Sequence, residues 1–174
     1  MDVFECIRSQ RATRWFRPEP IAEEQLLRIL DAGRRAGSAK NRQSWQFVVV
    51  RDPAMLAGLS EGGRYAEHLR RAAAAIVIVM EPGPALITLF DAGRAAQNIM
   101  LAAQAEGIGS CVATLTEFDL VRTLLGIPEA PVIASAISLG YPAEETAEQR
   151  AQITQVLAQR GRKPLPELVR WERW

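Results

Sequence analysis

The chain has 174 residues, 48% hydrophobic and 24% charged, with a formal charge of +1. That composition excludes disorder and collagen-like order, and the length suits one domain burying roughly 70% of the surface its unfolded chain exposes. The longest apolar run, Ala72 to Met80, is less than half of the roughly 20 residues a membrane span needs, so no membrane association is expected. Near-zero charge without a recognition motif also speaks against nucleic-acid binding.

The opening MDVFECIRSQR puts Asp2 ahead of its first base, Arg8, the reverse of a secretory signal, so a cytoplasmic location is expected. Val3, Phe4 and Ile7, with Cys6 at the edge, share one face of a first helix. A second helix starts near Ile21 and sets Leu26, Leu27, Ile29, Leu30 and Gly33 on its apolar side. Between the two, Arg8, Arg11, Arg14 and Arg17 follow with no acid among them. WQFVVV, Trp45 to Val50, reads as a strand that Asp52-Pro53 ends before a short helix through Leu59.

Ala75 to Met80 is a second strand, closed by Glu81-Pro82-Gly83-Pro84. From about Leu86 to Glu106 the pattern is a long helix, apolar nearly all round, with Asp91, Arg94 and Asn98 as a narrow polar stripe. Burying such a helix in a chain this short calls for a partner subunit. Gly107 and Gly109 lead into a strand from Ser110 to about Thr114, Leu120 to Leu125 is a helix ended by Gly126, and Val132 to Leu139 is a buried strand. Pro164 and Pro166 prevent a regular helix throughout the last segment, 160–174. The order of elements is α+β, in one domain over 1–174.

No GxSxG elbow, Walker loop, HExxH or strand-following GxGxxG occurs. Cys6 and Cys111 form no CxxC pair and His68 is the single histidine, so a metal centre lacks ligands; two buried thiols and a surface His68 are expected. The 21 basic residues are all Arg except Lys40 and Lys163, and those near the two ends suit either a shared phosphate or a solvated surface.

One further pattern runs through the chain: Gln10-Arg11-Ala12-Thr13-Arg14-Trp15-Phe16, then Pro20-Ile21, then AGSAKNRQSW from Ala36 to Trp45. Asp91-Ala92-Gly93, Ala96-Gln97-Asn98, Gly107-Ile108-Gly109-Ser110-Cys111, Leu124-Leu125-Gly126-Ile127-Pro128, Leu139-Gly140-Tyr141-Pro142 and Arg162-Lys163-Pro164-Leu165 continue it. In this order the blocks resemble the nitroreductase family of FMN-dependent oxidoreductases. The resemblance implies a small central mixed sheet wrapped by helices, in an intertwined homodimer with segment 160–174 packed on the partner subunit. FMN would be the cofactor, NADH or NADPH the reductant, and an electron-poor small molecule such as a nitroaromatic or quinone the acceptor, by a ping-pong hydride transfer through flavin N5.

The resemblance also assigns residues. Gln10, Arg11, Ala12, Thr13 and Arg14 fall on the family's phosphate and ribityl block, where Gln10 stands for an Arg and Ala12 for a Ser. One charge-assisted contact is worth about 1.5 to 3 kcal/mol, so that loss lowers flavin affinity by about one to two decades. Arg14, with Arg162 and Arg160, would then carry most of the phosphate binding. Gly37, Ser38, Ala39 and Asn41 fall on a loop that reaches the flavin of the neighbouring subunit. Backbone near Ala113, Thr114 and Leu115 would face N5, so that no side chain is needed as acid or base. Stretches 61–71 and 81–86 are left to face the substrate. Other chemistries known on this fold remain open from sequence: a dehalogenase, a dehydrogenase, a deazaflavin-using or a flavin-fragmenting enzyme, as does a non-catalytic flavin-binding or nucleotide-binding dimer.

Overall fold

The computed structural model describes residues 2–144, 146–147, 151, 154–155 and 161–174. It contains two units, Met1–Ala143 and Glu144–Trp174.

In the first unit a four-stranded sheet has the order β1-β2-β4-β3. The strands are β1 (Trp45–Val50), β2 (Ala74–Met80), β3 (Gly109–Ala113) and β4 (Val132–Gly140). All three pairings are antiparallel, and the parallel component of the sheet is a single bridge between Ala12 and Ser110. Strand β2 is buried along its whole length, as its unbroken AAIVIVM run requires of a strand covered on both faces. Its side chains alternate between two cores. Ala74, Ile76, Ile78 and Met80 join Ile29 and Ile99 on one face, under α2 (Glu23–Arg34) and α4 (Ala85–Ala105). Ala75, Val77 and Val79 join Leu56, Leu59, Leu69 and Val121 on the other, under α3 (Pro53–Ser60), a 3-10 turn Glu67–Arg71 and α5 (Phe118–Leu125).

Local signals explain where the helices start and stop. Asp2 and Glu5 close a capping box on α1 (Val3–Ser9), Asp52 caps α3 ahead of Pro53, and Gly126 ends α5 at φ 66°. Helix α2 is tied to the end of α4 by Arg28, which reaches both carboxylate oxygens of Glu106 at 2.6 and 2.8 Å.

Two helices differ from the sequence expectation. On α1 only Cys6 is buried, while Val3, Phe4 and Ile7 are exposed, because a helix of 7 residues at the chain end has one narrow side against α4. On α4 the polar stripe is split: Asp91 is buried and Asn98 donates to the Ala32 carbonyl, whereas Leu86, Leu89 and Phe90 are exposed. The second unit includes a short helical turn, Leu165–Leu168, in keeping with the flanking prolines.

Candidate functional site

The segment 10–17 that links α1 to α2 lies along the ends of β3 and β4. Thr13 N donates to the Ser110 carbonyl at 2.9 Å, Arg17 N to the Tyr141 carbonyl at 2.8 Å, and Ala143 N to the Trp15 carbonyl at 3.1 Å. Gly109 and Gly140, paired in the β3–β4 ladder, make room for it: a Cβ on either would come within 2.7 Å of Thr13 or of the Phe16 ring. This backbone docking fixes Arg14 and Trp15 beside Val112 of β3.

There they form one wall of a cleft of about 370 Å³. The opposite wall is the stretch 64–71, which contributes Arg64, Tyr65, Glu67, His68 and Arg71. The wall positions follow from the turn before it. The Gly62 carbonyl accepts from the amides of Thr116 and Glu117 at 2.8 and 3.1 Å, and Gly63 sits so close to the Thr114 carbonyl oxygen that a Cβ would collide with it. Stretch 113–115 is thereby held against the turn that carries Arg64.

His68 corrects the expectation of a surface residue: it is 4% exposed. The 3-10 turn points His68 and Leu69 inward while Glu67, Arg70 and Arg71 remain outside. Its Nδ1 is 2.8 Å from the Ser138 hydroxyl, which in turn donates to the Cys111 carbonyl at 3.3 Å. The contact admits two senses: with the Ser138 proton on the Cys111 carbonyl, Nδ1 carries the ring hydrogen and Nε2 the lone pair, and with that proton on Nδ1 the two are reversed. Among the described residues every buried side-chain nitrogen and oxygen has a hydrogen-bond partner. Nε2 makes no bond within the described chain, so it is the ring nitrogen open to the cleft. Burial, reinforced by the Arg14 guanidinium, pushes the imidazole down to about 4, and it is neutral near pH 7. Burial also pushes the Cys111 thiol up, with Arg14 opposing; the cysteine stays protonated and is no nucleophile.

The rim is cationic. Glu67 is shared between Arg70 and Arg71, each at 3.5 Å. Arg14 and Arg64 make no ion pair among the described residues, and Arg64 stacks 5.3 Å above the ring of Tyr65, which is 76% exposed.

The other residues singled out in the sequence lie elsewhere. Gln10 N donates to the Cys6 carbonyl, and Arg11 turns back onto the carbonyls of Arg8 and Gln10. Gly37, Ser38, Ala39 and Asn41 belong to a loop hung from α4 that does not line the cleft. Ala39 N donates to the buried Asp91 carboxylate at 3.0 Å, and the Ser38 hydroxyl accepts from Gln43 N at 2.9 Å. Lys40, Asn41 and Gln43 have φ of 53°, 55° and 49°, a left-handed backbone that stores strain in residues other than glycine. Arg162 is exposed in the second unit, and Arg160 lies outside the described residues. Sequence reasoning missed His68, although it follows Gly62-Gly63-Arg64-Tyr65, a turn signal with an aromatic-cationic pair inside the stretch left to face substrate.

Solved structures share this architecture. A Desulfovibrio desulfuricans structure, titled as a nitroreductase in complex with FMN, superposes with a TM-score of 0.81 at 27% identity, over 100% of this chain and 98% of that one. An FMN-dependent nitroreductase from Clostridium difficile gives a TM-score of 0.78 at 28% identity, over 83% and 90% of the two chains. In sequence, a protein of Archaeoglobus fulgidus provisionally named NADH dehydrogenase/NAD(P)H nitroreductase is 38% identical over 152 residues, covering 81% of this chain and 87% of its own length. Residues 7–141 match the sequence model of the nitroreductase family, a span that includes both walls of the cleft, and the chain belongs to that family.

Proposed function

We propose that the chain is an FMN-dependent oxidoreductase that draws on NADH or NADPH and passes two electrons to an electron-poor small molecule, a nitroaromatic or a quinone, with the cofactor seated in the Arg14–His68 cleft. The observation that carries this reading is the donor set of that cleft. The guanidinium groups of Arg14, Arg64 and Arg71 surround one neutral acceptor, beside a strand end and an exposed Tyr65. A flat, oxygen-rich heterocycle fits such a set, because guanidinium hydrogens meet the carbonyl oxygens on its ring edge. The FMN complex of the Desulfovibrio desulfuricans relative, with the same fold at 27% identity, supports it, as does the name of the Archaeoglobus fulgidus relative.

When bound, FMN supplies the redox chemistry, taking hydride at N5 and giving it up in a second half-reaction. The chain's own part is to bind and orient. Arg14 and Thr13 are held in place by the backbone docking of segment 10–17, and the backbone of Ala113, Thr114 and Leu115, which follows Val112 of the cleft wall, would face N5 of the bound flavin. Arg162 is kept in the proposal as a phosphate ligand, and Gly37, Ser38, Ala39 and Asn41 as a contribution to a second copy's site. A homodimer is supported by apolar side chains in water, among them Phe4 at 68% and Phe90 at 65% exposure.

The test is the colour and content of the purified protein. Denaturation should release a chromophore with the mass of FMN, and NADH or NADPH should bleach the native protein without oxygen, with colour restored by a nitroaromatic or quinone. A colourless protein that ignores added FMN contradicts the proposal.

A further inference from the structure

Resting on that reading, we infer that His68 selects the flavin by accepting a hydrogen bond from the imide N–H of its pyrimidine ring, with guanidinium groups of the cleft turned to the two carbonyl oxygens that flank it. The cleft's polar inventory leads there. Arginine donates only, so Arg14, Arg64 and Arg71 can meet oxygens but cannot satisfy an N–H. Of the other acceptors, the Glu67 carboxylate is paired with Arg70 and Arg71, and the Tyr65 hydroxyl belongs to a side chain that is 76% exposed on the rim. That leaves Nε2 of His68, which holds the lone pair in the sense we assign to the contact, Nδ1–H to Ser138 and Ser138 to the Cys111 carbonyl. Donors around one acceptor complement an edge that reads acceptor, donor, acceptor, the pattern of a cyclic imide.

A phosphate group matches poorly here. It has no N–H to give and would set its charge against the Nε2 lone pair, so the flavin tail lies outside this cleft and Arg14 serves the ring edge in place of the phosphate. His68 is then a specificity residue, and Ser138 a positioning residue that fixes its tautomer.

The experiment is an equilibrium titration of flavin-free protein with FMN and with FMN methylated at the imide nitrogen, read by quenching of flavin fluorescence. Nicotinamide nucleotide is left out, since its carboxamide also carries N–H groups. The native chain should bind FMN about tenfold more tightly than the methylated form, roughly one hydrogen bond. His68→Phe, which keeps a flat ring and removes the acceptor, should weaken FMN by about the same factor, while His68→Gln, which keeps an acceptor, should recover part of it. Ser138→Ala, which frees the ring to move its proton to Nε2, should narrow the preference without changing the fold of the cleft wall. Native protein binding both flavins equally overturns the inference, and so does unchanged FMN affinity in His68→Phe, which would leave only a steric contact. Failure to bind either flavin would instead overturn the parent reading.

Discussion

The floor and the rim of the Arg14 cleft treat polar groups in opposite ways. On the floor His68 and Ser138 are 4% and 0% exposed, uncharged and joined to one another and to the Cys111 carbonyl, because an unpartnered polar group there would cost about 1 to 3 kcal/mol. On the rim Arg64, Tyr65 and Arg71 stand in water, where solvent screens their charges and their ion pairs contribute little to stability. The floor is thus part of the folding unit, whereas the rim is free to serve a ligand. Substitutions should separate the two: changes below move stability and its pH dependence, changes above move affinity.

The largest effect belongs to the hinge between them. Gly63→Ala places a Cβ against the Thr114 carbonyl, a backbone atom that cannot swing aside. A loss of about 3 kcal/mol or more is expected in urea unfolding, the upper end of the range for overpacking, because the obstructing atom belongs to the backbone. A loss below about 0.5 kcal/mol would mean that stretch 113–115 is not pinned to this turn.

The floor comes next. His68 titrates near 4 in the fold and near 6.5 when unfolded. Below pH 6.5 the unfolded chain takes up a proton that the folded chain refuses, so stability falls as pH drops from about 6.5 to about 4 and is independent of this group below that. The full effect is up to about 3 kcal/mol. The groups facing the ring are Arg14 on segment 10–17, Ser138 with Cys111 behind it on the sheet, and Arg64, Glu67 and Arg71 on its own wall. His68→Phe should flatten this part of the curve between pH 7 and pH 4, and an unchanged slope in the variant would assign it to other residues.

The smallest effect on stability belongs to the rim. Arg64→Ala removes an exposed side chain whose described contact is the Tyr65 ring, and should shift unfolding by no more than about 0.5 kcal/mol. Its flavin affinity should nevertheless fall several-fold, the loss becoming smaller at high salt. Equal flavin affinity in variant and native protein would remove Arg64 from the site.

Much of the scaffold was legible in the chain itself. The run Ala75 to Met80 read as a strand and Gly109 and Gly140 as strand boundaries, whereas the packing of segment 10–17 on those two glycines is visible only in the fold. His68 was hidden by its neighbours. Glu67, Arg70 and Arg71 read as a solvated helix, and only the tighter 3-10 turn sends position 68 inward while leaving them out. Asp91 was hidden for the opposite reason: within a helix it looks like part of a wet stripe, yet it is buried to hold the Ala39 amide of a distant loop. Val3, Phe4 and Ile7 misled in their turn, since periodicity reports an apolar face and not what covers it. Arg14 was found through the resemblance, whereas its place beside a neutral histidine depends on β3, β4 and the 64–71 stretch meeting across more than 50 residues of sequence.

The most direct trial of the account is a crystal structure of the chain with FMN bound. The isoalloxazine ring should lie in the cleft between Val112 and the 64–71 wall, with its imide nitrogen within hydrogen-bond distance of His68 Nε2. A flavin bound elsewhere on the chain, or one whose phosphate occupies the position beside His68, would contradict it.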